Sequence, residues 1–291
     1  MTIRHIPVGT IALIAVLSCG CSTTRGRVAS APGTASTPTI ERRDTHEGLD
    51  NVSWVQSSAE FWAITSATYN GAQTVLERAI GDKSWSAALE QASGYETLPA
   101  AVILDLDETV LDNSPAQAQL VLERTTYHQD MWSAWVEKRA AAAIPGAQSF
   151  IAFAEQQGVR VFFVTNRAAS EQRATLENLA ALGIKASDET VLCSGENGWT
   201  SDKTARRAEI AKSYRVLLLV GDDMNDFVAT AKLTPPQRVA LAKKYADRWG
   251  RGWILLPNPM YGSWERALYP GLTNDEEILR RKREQLKGFK P

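Results

Sequence analysis

The stretch Ala101-Val-Ile-Leu-Asp105-Leu-Asp107-Glu-Thr109 drives four apolar residues straight into a pair of carboxylates. Such a short apolar run reads as a buried strand that ends at the acidic pair. Four more runs of this kind follow: Val159-Arg-Val-Phe-Phe-Val164, Val191-Leu-Cys193, Val216-Leu-Leu-Leu-Val220 and Trp253-Ile-Leu-Leu256. Between them lie helical stretches, 147–157 stopped by Gly158, 170–182 stopped by Gly183, and 201–213. Strand and helix in repetition predict an α/β fold, a Rossmann-like parallel sheet with helices on both faces. Ligands of such sheets bind outside the carboxyl ends of the strands, so the residues just after each run are the ones to read.

Those residues are acidic and polar. Asp105-Leu-Asp107-Glu-Thr109 follows the first run, Thr165-Asn166-Arg167 the second, and Gly221-Asp222-Asp223-Met-Asn-Asp226 the fourth. A single Asp-x-Asp has a bland reading, because acidic residues often end strands simply to start a turn or cap a helix. Several polar clusters at the same end of successive strands do not. Crowding Asp105, Asp107 and Asp222 without a cation would cost several kcal/mol of repulsion, and a divalent metal is the simplest remedy. Only three histidines and three cysteines are present, which excludes His- or Cys-rich cages. A set of oxygen ligands suits a hard ion, with Mg²⁺ the first choice.

The order of these clusters is specific. The segments Leu104-Asp-Leu-Asp-Glu-Thr-Val-Leu-Asp-Asn-Ser-Pro115, Val164-Thr-Asn-Arg167, Lys203 opening a helix, Gly221-Asp-Asp-Met-Asn-Asp-Phe227 and Leu256-Pro-Asn-Pro-Met-Tyr-Gly-Ser-Trp264 resemble the class C acid phosphatases. These are the bacterial lipoprotein 5'-nucleotidase branch of the haloacid dehalogenase (HAD) superfamily. The resemblance implies a HAD-like fold and phosphomonoester hydrolysis through an aspartyl phosphate. It makes Asp105 the nucleophile and Asp107 the acid that protonates the leaving alkoxide and later the base that activates water. Mg²⁺ would be held by Asp105, the main-chain carbonyl of Asp107 and Asp222, with Asp226 a further ligand candidate. Thr165 and Asn166 would hold phosphoryl oxygens, Lys203 would supply fixed positive charge, and Arg167 is either a substrate contact or an ion-pair partner. Asp223 stands where the family usually has Asn, and Ala116 where it often has an aromatic.

The segment 112–145 is too long for a simple loop. It is expected to form a small helical cap, helical over 131–143, that sets specificity. Trp132 and Trp135 in it, with Tyr261 near the last strand, offer faces on which a nucleobase could stack, although core packing is the better expectation for any single aromatic. Upstream, Val52, Val55, Ala59, Trp62, Tyr69, Ala72, Val75, Leu76 and Ala79 fall at helical spacing, an N-terminal helical segment of one or two helices stopped by Gly81. The HAD-like domain is expected over 49–275, with a charged helix or tail over 276–291.

The first 20 residues read as a lipoprotein signal: Arg4, an apolar run from Ile11 to Leu17 too short to span a bilayer, then Ser18-Cys19-Gly20-Cys21. Cys21 is the favoured lipidation site and Cys19 the alternative. Residues 21–48 read as a flexible tether, reaching roughly 25 to 30 Å. Ser22, rather than an acidic residue, follows Cys21, which is compatible with an outer-membrane protein of the bacterial cell envelope. With 32 Lys+Arg against 33 Asp+Glu, a nucleic-acid polymer is not an expected partner. The expected partners are small phosphorylated substrates and a membrane met through the anchor, with a homo-oligomer left open. The rival reading is a non-catalytic surface or ligand-binding lipoprotein on the same fold.

Overall fold

A computed structural model describes residues 46–288. The signal segment, Cys21 and the tether up to residue 45 lie outside the described residues. In chain order the elements are helices α1 (Leu49–Ser57) and α2 (Ala59–Gly81), strands β1 (Ala100–Leu104) and β2 (Leu111–Asp112), α3 (Ser114–Glu123), α4 (Gln129–Glu137), β3 (Ala142–Ala143) and α5 (Ala147–Gln156). There follow β4 (Arg160–Ala168), α6 (Gln172–Ala181), β5 (Val191–Ser194), α7 (Thr204–Ser213), β6 (Arg215–Gly221), α8 (Pro235–Lys244), β7 (Trp253–Leu255), α9 (Ser263–Arg266) and α10 (Asp275–Glu284).

The five apolar runs form one parallel sheet in the order β5-β4-β1-β6-β7. Strand alternation sends neighbouring side chains to opposite faces. Val102 and Leu104 of β1 join α2 and α5 residues in one core, while Ala101 and Ile103 join Ile210 of α7 and Trp253 in the other. This is the α/β sheet with helices on both faces that the sequence predicts. β1, which leads into Asp105, is its central strand.

Three expectations need correction. The helical spacing puts Ala59 and Trp62 on the buried face of the N-terminal helices, yet both are exposed, Trp62 at 63%. The chain breaks at Ser58 (φ −83°, ψ 138°), whose hydroxyl caps α2 by accepting from Phe61 N at 3.0 Å. The break resets the helical phase, so Phe61, Thr65, Tyr69, Ala72, Leu76 and Ala79 face inward. The cap helix ends at Glu137 rather than 143, because Ala142 and Ala143 return as β3 and pair antiparallel with β2. The tether boundary at 48 is also too late: His46 Nε2 lies 3.2 Å from Thr125 O, and Glu47 pairs with Arg283 of α10 at 2.7 Å.

Candidate active site

The strand geometry brings the acidic clusters together. Asp105 N still donates to Val220 O of β6 at 2.9 Å, so Asp105 holds its place in the sheet. The chain then folds back: Leu106 O accepts from the amides of Val110 and Leu111, both at 2.8 Å, and Glu108 takes a left-handed φ of 62°. In an extended strand Asp105 and Asp107, two residues apart, would line the same face with Leu106 opposite; the chain instead leaves extended geometry at this loop. From α2, Tyr69 OH donates to Thr109 O at 2.7 Å and pins the loop from behind.

Lys203 is the residue around which the buried charges are arranged. It is 4% exposed, contacts Asp105 Oδ1, and lies 2.6 Å from Asp226 Oδ1. Burial works against its charge, but the two carboxylates outweigh burial and hold its pKa above the usual lysine range. Asp226 Oδ2 in turn accepts from Asp223 N at 2.9 Å. Gly221 makes room for this: a Cβ there would fall 2.1 Å from Asp226 Oδ2. Both oxygens of Asp226 are thus engaged by protein donors, and its visible task is to hold Lys203.

Asp105, Asp222 and Asp226 bring ligand atoms within 4.8 Å of one another. Burial, then the neighbouring carboxylates, pushes Asp222 well up, and Asp105 rises to about 7 despite the opposing pull of Lys203. Thr109 Oγ1 stands 3.4 Å from both Asp105 Oδ2 and Asp222 Oδ1, and its single proton can serve only one of them. Asn258 Nδ2 satisfies the other Asp222 oxygen at 2.7 Å. Three carboxylates facing one lysine leave an excess of negative charge that suits a divalent cation. Asp105 Oδ2 and Asp222 Oδ1, which share only the long contact from Thr109, are the oxygens that can hold it.

The sequence matches the acid phosphatase family of the HAD superfamily, subfamily IIIB, over residues 43–264. The chain belongs to that family. Two structures of the class C acid phosphatase from Bacillus anthracis, one with tungstate bound, superpose with TM-scores of 0.74 and 0.75 at 31% and 30% identity. In each case 84% of this chain and 98% of the other are covered. Acid phosphatase 1 of tomato (Solanum lycopersicum) is 24% identical over 163 residues. The chain spans a little over half the length of that curated relative, 57%.

Members of the HAD phosphatases use a divalent metal, and here the donor set fits one. The second carboxylate, Asp107, is held by a different set of partners. Its Oδ1 accepts from Arg167 Nε at 2.9 Å and Asn113 Nδ2 at 2.9 Å, and lies 2.8 Å from Arg167 Nη2. Thr165 Oγ1, at 3.3 Å, approaches Asp107 Oδ2. Arg167 is 2% exposed; burial opposes its charge, and Asp107 keeps it above the usual range. Its ion pair with Asp107 is the role the structure gives it. Asn166 is exposed beside the site, and its Oδ1 accepts from Arg206 Nη2 at 2.8 Å.

The aromatics divide. Trp132 is 9% exposed, packed with Val136 and Ala174, with the Arg167 guanidinium 5.7 Å over its ring. It is cap core rather than a free stacking face, because α4 lies against α6. Trp135 is half-buried against the main core and gives its indole N–H to Asn113 Oδ1 at 2.8 Å, so it too is committed to the protein. Among the described residues, Tyr261 has no such protein partner for its polar end. Its buried hydroxyl has no partner among the described residues, and burial followed by Glu108, Asp107, Asp222 and Asp105 raises its pKa. Asp222 and Asp223 fasten the loop that carries it: Asp223 Oδ2 accepts from Ser263 N at 2.6 Å. Gly262 (φ 153°) permits this, since a Cβ there would lie 2.9 Å from Asp223 Oδ2.

Sequence reasoning assigned no role to Asn113, Thr109, Arg206 or Asn258. Asn113 and Asn258 lie inside the quoted motifs. Arg206 sits one helical turn beyond Lys203, fully buried, and contacts the Thr165 carbonyl.

Proposed function

We propose that this protein is a lipid-anchored, Mg²⁺-dependent phosphomonoesterase of the bacterial cell envelope, with nucleoside 5'-monophosphates as its leading substrate class. The observation that carries the reading is the contact of Lys203 with Asp105, beside Asp222 and separate from the Arg167–Asp107 pair. One carboxylate is neutralised and aimed for attack, while another is held where it can pass a proton.

Asp105 attacks phosphorus, the P–O bond to the leaving group breaks, and Asp107 gives its proton to the departing alkoxide. Asp107 then takes a proton from water, which attacks the aspartyl phosphate, breaks its P–O bond and returns Asp105 as a carboxylate. Lys203 and the backbone N–H groups around Asp105 stabilise the phosphoryl charge as it moves. A bound Mg²⁺, held by Asp105, Asp222 and the Asp107 carbonyl, would neutralise phosphate oxygens and orient the ester. The Bacillus anthracis relative has a structure with tungstate bound, and an oxyanion ligand there supports a phosphate-bearing substrate here. The unpartnered Tyr261 hydroxyl supports a polar leaving group beside the carboxylates.

The test is phosphate release by the full-length protein in detergent, on nucleoside 5'-monophosphates and a chromogenic aryl ester. Activity is expected to need Mg²⁺, to vanish with chelator, and to fall at least about a thousandfold in Asp105→Asn. A folded wild-type protein that releases no phosphate from any ester would sink the reading. Globomycin-sensitive cleavage before Cys21, with diacylglyceryl on its thiol read by mass spectrometry, tests the anchor separately.

A further inference from the structure

Asp107 Oδ1 is saturated by donors and its Oδ2 is not. Arg167 reaches Oδ1 through Nε and Nη2, and Asn113 Nδ2 through a third contact, whereas among the described residues Oδ2 meets only Thr165 Oγ1, at 3.3 Å. Oδ2 is therefore the oxygen with room for a proton, and the contacts on Oδ1 decide where it points.

Asn113, 0% exposed, is the residue that ties those contacts to the cap. Its Oδ1 accepts from Trp135 Nε1 at 2.8 Å and from Arg167 Nη2 at 3.3 Å. Indole and guanidinium can only donate, so the atom facing them must be the amide oxygen and the orientation of the amide is not in doubt. The two Nδ2 protons are then directed at Asp107 Oδ1 and at Glu108 Oε2, the latter at 3.1 Å. Glu108 Oε1 also accepts from Asn113 N at 3.1 Å. A single amide thus receives a hydrogen bond from cap helix α4 and gives one to the carboxylate that moves the proton.

The geometry points to Asn113 as a positioning residue, steered by the Trp135 indole, that makes proton delivery by Asp107 depend on the seating of the cap helix. This rests on the acid role of Asp107 given above. Its consequence is selective. Esters with a poor leaving group, such as the 5'-hydroxyl of a nucleoside, need the proton, whereas a dinitrophenolate leaves without one.

The experiment compares kcat/KM, which reports the first phosphoryl transfer, for adenosine 5'-monophosphate and 2,4-dinitrophenyl phosphate. The proteins are wild type, Asn113→Ala, Trp135→Phe and Asp107→Asn, each loaded with Mg²⁺. In Asn113→Ala the loss on the nucleotide is expected to exceed that on the aryl ester by at least about thirtyfold. Trp135→Phe, which keeps the ring and removes only the N–H, should shift the ratio the same way by about fivefold. Inhibition by inorganic phosphate and the circular dichroism spectrum report folding of the site. Equal losses on both esters in Asn113→Ala and Trp135→Phe, with Asp107→Asn still discriminating, would overturn the coupling. If Asp107→Asn itself does not discriminate, the acid assignment fails and takes the coupling with it. A merely structural role lowers both esters alike.

Discussion

Asp105 in the metal-free protein is a buried carboxyl group with a pKa of about 7, well above its unfolded value of about 3.9. A raised folded-state pKa means that the folded chain binds the proton more tightly than the unfolded one. Its stabilising contribution is present below about pH 4 and is lost as the pH rises through 7. Asp222 moves in the same direction. A divalent cation reverses the preference by favouring the ionised form. The melting temperature of Mg²⁺-loaded protein minus that of chelated protein is therefore expected to widen from pH 4 to pH 7.5. A gap independent of pH would show that these carboxylates do not hold the ion. The residue types of this site were legible in the sequence, because Asp105, Asp107, Lys203 and Asp222 each end a strand or open a helix. The partners were not: Asn113 and Arg206 act through side-chain geometry that no spacing rule encodes.

At the level of elements, the N-terminal helices show how one residue misplaces a face. Val52 and Val55 set a phase that runs on to Ala59 and Trp62 only if the helix is continuous. Ser58 interrupts it, and a serine reads as a cap only once the backbone there is known to be extended. Phe61→Ala is expected to cost about 3 kcal/mol or more, as a buried aromatic does, whereas Trp62→Ala should fall within about 0.5 kcal/mol of wild type. Urea unfolding monitored by far-UV circular dichroism decides between the two phases, and a reversed order would restore the continuous helix. The cap met a similar limit. Its length and helical character could be read, but β3 is two alanines whose strand pairing comes from Leu111 and Asp112 across the ribbon.

At the scale of the molecule, the sheet was the most legible feature, since every strand of it is built on a short apolar run, broken by Arg160 only at the start of β4. The C-terminal helix is the opposite case. α10 has no buried residue and meets the body through a partly exposed pair, Lys282 with Glu265 at 2.5 Å, and an exposed one, Arg283 with Glu47 at 2.7 Å. Surface pairs of this kind contribute little. Removing residues 275–291 is expected to lower the melting temperature by less than about 5 °C and to leave phosphate release within about twofold, as differential scanning calorimetry and an activity assay would register. A collapse of the fold would mean that α10 bears more of the structure than its exposure suggests.

The central place of β1 also governs when the protein can act. Leu104 pairs with Phe163 on one side and Val220 on the other, so the strand that leads into Asp105 is made early and flanked late. At synthesis rates of roughly 5 to 20 residues per second, the ribosome needs several seconds more before β6 exists to complete that neighbourhood. A chain caught part-way, in whatever compartment it is being made, has its nucleophile but neither Asp222 nor a sheet to hold it. Strand order alone thus keeps the site unassembled until about three-quarters of the polypeptide has been made.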